Sequence, residues 1–202
     1  MGDRKEGALL GKVKHVLFAT SNRHKLQEAE IVFSEYGLNV EQWDVKRLEV
    51  QSESLEEIAR ISLAWLMREA NPRCPFFVED AGLFIEALNG FPGPYSSYVF
   101  SKIGNEGVLK LMDGVDNRRA VFVSVVAFTD GKEMLVFKGQ ASGFISHAVK
   151  GERGFGFDPI FIPEEGDGRS FAELDVREKN KLSHRARALR KLAEWLTSSK
   201  II

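Results

Sequence analysis

One hairpin signal near the centre of the chain constrains the fold most. Residues 120–129 and 133–141 are two strand-like runs, and Asp130-Gly131 lies between them. Asp-Gly between apolar runs is the strongest short-range signal for a β-hairpin, because such turns need a positive φ that glycine adopts readily. The chain therefore contains an antiparallel arm, and a sheet built on it is not purely parallel.

Upstream of this hairpin, short apolar runs alternate with helical patterns. Residues 16–19 are continuously apolar, and the apolar residues from 26 to 33 recur at roughly helical spacing, which predicts a strand, a loop and a helix. Residues 40–45 alternate as a strand does, and residues 54–57, Ser-Leu-Glu-Glu, form a capping box that opens a helix. Together with the hairpin, these units predict an α/β fold with a mixed, twisted sheet and flanking helices.

The remaining elements are less regular. Residues 76–78 predict a buried strand that stops abruptly before an acidic pair, 107–112 a short helix, and 176–197 one long final helix. No repeat or break in composition divides the chain. Residues 13–202 are therefore expected to form a single domain, after a loose N-terminal extension over residues 1–12.

Charge and cysteine content exclude several classes of protein. The formal net charge is −1, so any bound anion has to be held by a local basic cluster, and no nucleic-acid partner is expected. The single cysteine, Cys74, excludes an internal disulfide and fits a reducing compartment. No stretch approaches the apolar length of a membrane span. We therefore expect a cytoplasmic protein with no membrane partner.

The first cluster that could carry chemistry lies where the first strand ends and the first helix begins. It reads Thr20-Ser21-Asn22-Arg23-His24-Lys25. Free amides and the positive end of a helix favour phosphate, and the hydroxyls and the lysine add donors and charge. A helix cap beside a solvated lysine is the alternative interpretation. The glycines are too few for a Walker P-loop.

The second cluster is acidic and consists of Glu49, Glu79 and Asp80. Asp80 follows a predicted buried strand and precedes Ala-Gly, which favours a carboxylate at a sheet edge that faces a cleft. Carboxylates together with substrate phosphates are the usual ligands of Mg²⁺. Glu49 lies in a polar stretch, where a surface acid is the alternative.

Two further clusters lie in the last third of the chain. Residues 154–159, Gly-Phe-Gly-Phe-Asp-Pro, combine rings that can stack on a flat heterocycle with a carboxylate that can accept its N–H groups, although core packing at a bend is the alternative. Residues 179–185, Lys-Asn-Lys-Leu-Ser-His-Arg, bring donors to the start of the final helix, where a solvated basic face is the alternative.

In this order, the clusters closely resemble the inosine triphosphate pyrophosphatase family, and archaeal members in particular. The shared motifs are Thr-x-Asn-x-x-Lys at 20–25, Glu-Asp-Ala-Gly at 79–82, Gly-x-Pro-Gly-x-Tyr-Ser at 90–96, Gly-Phe-Gly-Phe-Asp-Pro at 154–159 and Glu-Lys-Asn-x-x-Ser-His-Arg at 178–185. The resemblance implies two lobes around a central nucleotide-binding cleft, a homodimer, and hydrolysis of dITP, ITP and XTP to the monophosphate and pyrophosphate.

The resemblance also implies roles for individual residues. Thr20, Ser21, Asn22, Arg23, His24 and Lys25 would cradle the triphosphate, partly through the amides of Arg23 and His24. Asp80 would bind Mg²⁺ and accept the proton of the attacking water, with Glu49 as a second metal ligand and Ala81 touching the substrate. Phe155, Gly156, Phe157 and Asp158 would form the slot for the base, completed by Lys179, His184 and Arg185.

Three other functions remain open at this point. A Maf-like nucleotide hydrolase is expected to show a Ser-x-x-Arg phosphate loop, which residues 20–25 do not match. A nucleic-acid-binding protein would use the basic final helix. The slightly acidic net charge of the whole chain argues against this function. A nucleotide sensor without turnover would not need Lys25, Glu49 and Asp80 together.

Overall fold

The computed structural model describes residues 15–70, 72 and 74–199. The expected extension over residues 1–12 lies outside this range. The strands are β1 (His15–Ala19), β2 (Asn39–Trp43), β3 (Phe76–Ile85), β4 (Pro92–Gly93), β5 (Arg119–Thr129), β6 (Met134–Ile145) and β7 (Phe161–Pro163). The α-helices are α1 (Arg23–Ser34), α2 (Leu55–Glu69), α3 (Ser96–Leu111), α4 (Val176–Leu182) and α5 (His184–Ser198).

The strands form one mixed sheet in the order β2-β1-β3-β5-β6-β7, with the short β4 paired to β3. β1 is parallel to both β2 and β3, whereas β3, β5, β6 and β7 are antiparallel to their neighbours. The predicted hairpin is confirmed: β5 and β6 pair from Thr129 with Met134 to Arg119 with Phe144. The α/β class with a mixed sheet is therefore confirmed as well.

β3 is longer than the sequence predicts and carries the acidic pair inside the strand. Glu79 pairs with Val126 of β5 and Asp80 with Val125, and the pairing continues to Ile85. Gly82 lets β4 pair with this strand, because a side chain there would overlap the carbonyl of Gly93 on β4. The two carboxylates therefore sit on a rigid strand rather than in a loop after it.

Alternation along β3 sends these carboxylates to opposite faces of the sheet. Phe77 packs in a core with α1 and α5, and Glu79 lies on that face. Phe76 and Val78 pack in a second core with α2, and Asp80 lies on that opposite face. Glu79 and Asp80, which the sequence places in one cluster, therefore lie on opposite faces of the sheet.

The long strands also run into a second lobe. Beyond the acidic pair, Leu83 and Ile85 enter a third core, formed with α3, the last part of β6 and the segment around β7. Residues 79–82 of β3 thus lie between the cores of the two lobes, at the floor of the cleft. The expected two-lobed arrangement around a central cleft is confirmed.

Two helices differ from their predicted form. α3 spans 16 residues instead of the predicted six-residue stretch, and Gly104 breaks its helical geometry with a φ of 59°. The predicted final helix is two helices, because Ser183 adopts an extended conformation that ends α4 and caps α5. Among the described residues, no helix is both long and apolar enough to cross a membrane.

Candidate functional site: a loop, a carboxylate and a buried chain of charges

The loop between β1 and α1 has the form expected of an anion site. Asn22 caps α1, and its Oδ1 accepts hydrogen bonds from the amides of His24 at 2.9 Å and Lys25 at 3.1 Å. The amide of Asn22 in turn donates to Thr20 Oγ1. The amide of His24, which the resemblance assigns to the substrate, is thus engaged by the cap, while Arg23 begins the helix and offers an amide of the kind that helix ends leave free.

Lys25 connects this loop to the sheet. Its ammonium lies 2.7 Å from Glu79 Oε2 and also donates to the main-chain oxygen of Glu79 at 3.3 Å. Because Glu79 is only 1 % exposed, the lysine is held at the rim of the cleft by a carboxylate that solvent does not reach. Lys25 is therefore pre-positioned rather than mobile.

Glu79 is one member of a chain of six alternating charges. Arg185 donates from Nε to Glu79 Oε1 at 3.0 Å and from Nη1 to Glu28 Oε2 at 2.6 Å. Lys179 then bridges Glu28 Oε1 at 2.7 Å and Asp158 Oδ2 at 2.6 Å. The chain runs Lys25, Glu79, Arg185, Glu28, Lys179, Asp158. It links the anion loop to the Gly-Phe-Gly-Phe segment across the interior.

The pairing keeps Glu28 and Glu79 charged despite their burial. Burial raises the pKa of Glu28, but Arg185 and Lys179 outweigh it and lower the pKa to about 2. The pKa of Glu79 is likewise held well below its usual range by Arg185 and Lys25 against its burial. The pKa of Asp158 is raised, because burial exceeds the effect of Lys179. Glu79 is thus a structural counterion.

Phe155 covers one side of this chain. Its ring stacks on His24 with centroids 5.3 Å apart, and the cations of Lys179 and Arg185 lie 5.0 Å and 5.2 Å from its centre. Gly154 allows this arrangement, since its φ is +72° and a side chain there would overlap the carboxylate of Asp158. Phe155 therefore forms a wall over charged groups, as a base slot requires.

Phe157 and Asp158 are placed differently from the expectation that they line the slot. The ring of Phe157 is 3 % exposed and packs edge-on against Phe100 in the core of the second lobe. Asp158 is also 3 % exposed, and its Oδ2 accepts from Lys179 and from the amide of Phe155. Asp158 thus orients the segment and does not face an open surface. The carbonyl of Gly156 accepts from Asn105 Nδ2, which ties the segment to α3.

A cavity of about 250 Å³ lies on the outer side of this wall. His24, Glu28, Phe155 and Lys179 line it, together with Phe171 and residues 174–176. Ligand pockets usually measure roughly 300 to 1,000 Å³, so this cavity suits a single ring system rather than a whole nucleotide. A ligand whose ring entered here would extend its other end past His24 towards the anion loop.

His184 is buried beside the charge chain. Its ring stacks on Phe122 with centroids 4.5 Å apart, and its Nδ1 has no hydrogen-bond partner in the described part of the chain. Burial first, and then Arg185 and Lys179, lower its pKa well below the usual value. The imidazole is therefore neutral at pH 7 and does not titrate near neutrality.

Asp80 lies on the opposite face of the sheet, where its carboxylate has one cationic side chain as a partner. Arg47, in the loop after β2, donates from Nη2 to Asp80 Oδ1 at 2.9 Å. Asp80 Oδ2 is buried and has no partner among the described residues. Glu49 is exposed in the same loop as Arg47, and Ala81 is half-buried beside Asp80 on β3. A carboxylate with an unsatisfied oxygen fits a divalent cation, which takes one or two carboxylates and completes its shell with water and phosphate.

Two charged residues of the site were missed by the sequence analysis. Glu28 could have been found from the sequence, because it precedes Ala29 and lies four residues before Val32 on the apolar face of α1. A charge at such a position is almost never left unpaired. Arg47 left no signal, since it lies in an irregular loop whose path only the folded chain defines.

Comparisons with known proteins show similarity along most of the chain. The chain is 52% identical over 181 residues to a dITP/XTP pyrophosphatase of Methanopyrus kandleri, covering 89% of this chain and 95% of the relative. It is 50% identical to a dITP/XTP pyrophosphatase of Thermococcus kodakarensis, covering 89% and 95%. Its fold is similar to that of a HAM1 protein from Coxiella burnetii, with a TM-score of 0.77, 30% identity, and coverage of 91% and 98%.

A HAM1 protein from Staphylococcus aureus is similar to the same extent, with a TM-score of 0.76 and 30% identity over 92% of this chain and 99% of that one. The model of the Ham1 family matches residues 16–195. That range includes the anion loop, both acidic residues of β3, the Gly-Phe-Gly-Phe segment and the start of α5. The chain therefore belongs to the Ham1 family.

Proposed function

We propose that this protein hydrolyses non-standard purine nucleoside triphosphates, namely dITP, ITP and XTP, to the monophosphate and pyrophosphate, with Mg²⁺ as cofactor. The observation that carries the proposal is the buried charge chain, which joins an anion loop at Lys25 to a ring-sized slot at Phe155. Relatives about half identical to this chain are named dITP/XTP pyrophosphatases, which supports the same substrate class.

The triphosphate binds at the start of α1 in this proposal. Helix ends favour anions, and the Lys25 ammonium, held at the rim by Glu79, adds positive charge without having to be ordered first. Asp80, on the α2 face, orients the water that attacks the α-phosphorus and takes its proton. Mg²⁺, held by Asp80 with Glu49 as a second carboxylate, would neutralise phosphate charge and stabilise the leaving pyrophosphate.

The base is selected by donors that meet the oxygen at position six of hypoxanthine or xanthine. Arg185 uses Nε and Nη1 for Glu79 and Glu28, which leaves Nη2 for a ligand. His184 supplies a neutral imidazole with an unpaired nitrogen. Adenine places an amino group where these donors need an acceptor, and such a mismatch can cost a factor of about 10⁴ to 10⁵.

We also propose that residues 13–202 act as one domain in the cytoplasm and that the protein is a homodimer. Four exposed aromatic residues support an interface near α3, namely Phe91, Tyr95, Tyr98 and Phe100, and Tyr98 is 64% exposed.

The basic face of the final helix does not favour nucleic acid as a partner. Arg187 pairs with Glu165, Arg190 pairs with Glu35, and Lys191 donates to the carbonyl of Lys138.

The test is pyrophosphate release from a panel of ITP, XTP, dITP, GTP and ATP, with and without Mg²⁺. We expect the six-oxo substrates that lack a two-amino group to be turned over faster than ATP by at least roughly 10³. Asp80→Asn should lower turnover by about 10² or more, whereas Asp113→Asn, an exposed site away from the cleft, should leave it unchanged. Comparable turnover of ATP and ITP would overturn the proposal.

A further inference from the structure

Arg47 is the cation that neutralises Asp80 in this structure. Its guanidinium reaches Asp80 from the loop between β2 and α2, with Nη2 2.9 Å from Oδ1, and both side chains are largely covered, at 25% and 18% exposure. Lys25 is committed to Glu79, whose side chain lies on the opposite face of the sheet. Among the described residues, Arg47 is therefore the only ion-pair partner of Asp80.

The pair blocks the accessible side of the carboxylate. Asp80 Oδ2 has almost no solvent-accessible surface, so an incoming cation reaches Asp80 first at Oδ1, which Arg47 holds. A guanidinium and a divalent cation that approach the exposed side of one carboxylate repel each other and compete for the same oxygen. A metal that binds Asp80 at Oδ1 therefore displaces Arg47.

The loop that carries Arg47 is also tied to the anion loop. The amide of Thr20 donates to the carbonyl of Trp43, and Gln42 Nε2 donates to the carbonyl of Thr20. Arg47 follows Trp43 by four residues. A guanidinium released from Asp80 therefore stays beside the segment that is proposed to hold phosphate, and its forked N–H groups match phosphate oxygens.

We propose that Arg47 is an exchangeable positioning residue: it holds Asp80 until a divalent cation displaces it, and it then pairs with the triphosphate of the substrate. This inference rests on the proposed function for the identity of the substrate. It predicts that the removal of Arg47 changes the affinity for metal and the affinity for phosphate in opposite directions. Without nucleotide, Arg47 competes with the metal, so its removal strengthens metal binding. With metal present, Arg47 contributes to phosphate binding, so the removal of Arg47 weakens the binding of phosphate.

The first measurement is Mn²⁺ binding to the nucleotide-free protein, followed by electron paramagnetic resonance. Arg47→Met should bind Mn²⁺ about fivefold more tightly than the unmodified protein, the factor expected for loss of a competing ion pair of about 1 kcal/mol. Arg60→Met is the matched control, because Arg60 is an exposed arginine of α2 that pairs with Glu56. It should leave the affinity for Mn²⁺ unchanged.

The second measurement is calorimetric titration with inorganic tripolyphosphate at saturating Mg²⁺. Arg47→Met should bind it about fivefold more weakly, and Arg47→Lys, which keeps the charge but loses the fork, should lie between. Arg47→Gln serves in the same two assays if Arg47→Met does not fold. A merely structural role for Arg47 would weaken both ligands together.

Two outcomes overturn the inference: Mn²⁺ affinity that is unchanged or lower in both neutral variants, or tripolyphosphate affinity that does not fall. Neither assay depends on turnover or on the base. Suppose that ITP were hydrolysed no faster than ATP, while loss of Arg47 strengthened Mn²⁺ binding and weakened tripolyphosphate binding. The proposed function would then fail and the role of Arg47 would stand. If ITP were hydrolysed selectively and the two affinities did not change in opposite directions, only this inference would fail.

Discussion

At the scale of single residues, the site depends on charges that are buried and fully paired. Glu28 accepts from both Lys179 and Arg185, and its side chain is 4% exposed. Taking such a carboxylate out of water costs several kcal/mol, which its partners offset only while all of them are present. Loss of one member leaves its neighbours as uncompensated buried charges.

Glu28→Gln should therefore lower the free energy of unfolding by about 3 to 5 kcal/mol, because Lys179 and Arg185 lose a shared counterion. Glu30→Gln is the matched control on the same helix, since Glu30 is exposed, and it should change stability by no more than about 0.5 kcal/mol. Urea denaturation measures both. Equal effects of the two substitutions would show that the buried chain does not stabilise the fold.

At the scale of elements, the start of α1 combines a helix cap with the anion loop. Asn22 Oδ1 accepts from two amides, and the loop it closes holds Thr20 and Lys25 on either side. α2 has an ordinary cap by comparison: Ser54 Oγ accepts from the amide of Glu57. The two caps are similar in kind, and only the first adjoins the proposed phosphate site.

Asn22→Ala and Ser54→Ala should each destabilise the protein by about 1 kcal/mol, since each removes an N-cap. Only Asn22→Ala should also raise KM, and it should do so alike for ITP and ATP, because Asn22 does not line the cavity proposed for the ring. Thermal denaturation and steady-state kinetics separate the two effects. A KM that rises equally in both variants would assign the change to general loosening rather than to the loop.

At the scale of the whole molecule, the charge chain links two lobes and makes stability depend on pH. Lys25 and Glu28 belong to α1, Lys179 to α4, and Asp158 to the segment before β7. Protonation of Glu28 or Glu79, whose pKa values are lowered in the fold, therefore loosens contacts between separate parts of the fold. His184 acts in the same direction from a higher pH: burial lowers its pKa well below 6.5, so below about pH 6.5 the unfolded state binds a proton that the folded state does not, and stability falls.

Stability should fall between about pH 4.5 and pH 2. The folded-state pKa of Glu28 is about 2, against 4.5 for the free side chain. A depressed pKa contributes stability that is present above pH 4.5 and is lost as the pH falls through the folded value, here about 3 kcal/mol. Glu79 acts in the same direction, whereas Asp158, whose pKa is raised, opposes it.

Urea unfolding at a series of pH values measures this dependence. Glu28→Gln should flatten the curve in that range, and Glu30→Gln should leave its slope intact, because Glu30 is exposed. A curve with the same slope in all three proteins would contradict the assignment to the buried chain.

Much of the fold could be read from the sequence because its signals are local. The apolar run before Thr20, the capping box at Ser54 and the Asp130-Gly131 turn each depend on neighbouring residues, and the structure contains the strand, the helix and the hairpin that they predict. The break at Ser183 was missed, because serine fits both a helix interior and a cap and only the packing of α4 and α5 decides between them.

The residue types of the candidate site were determined by the sequence, but their partners were decided only by the tertiary structure. The motif at 79–82 placed two acids side by side, and the alternation of β3 then gave Glu79 to Lys25 and Arg185 and gave Asp80 to Arg47. Ion pairs between residues more than a hundred positions apart leave no local pattern, since they form only where the fold brings the chains together. Glu28 and Lys179 meet in this way.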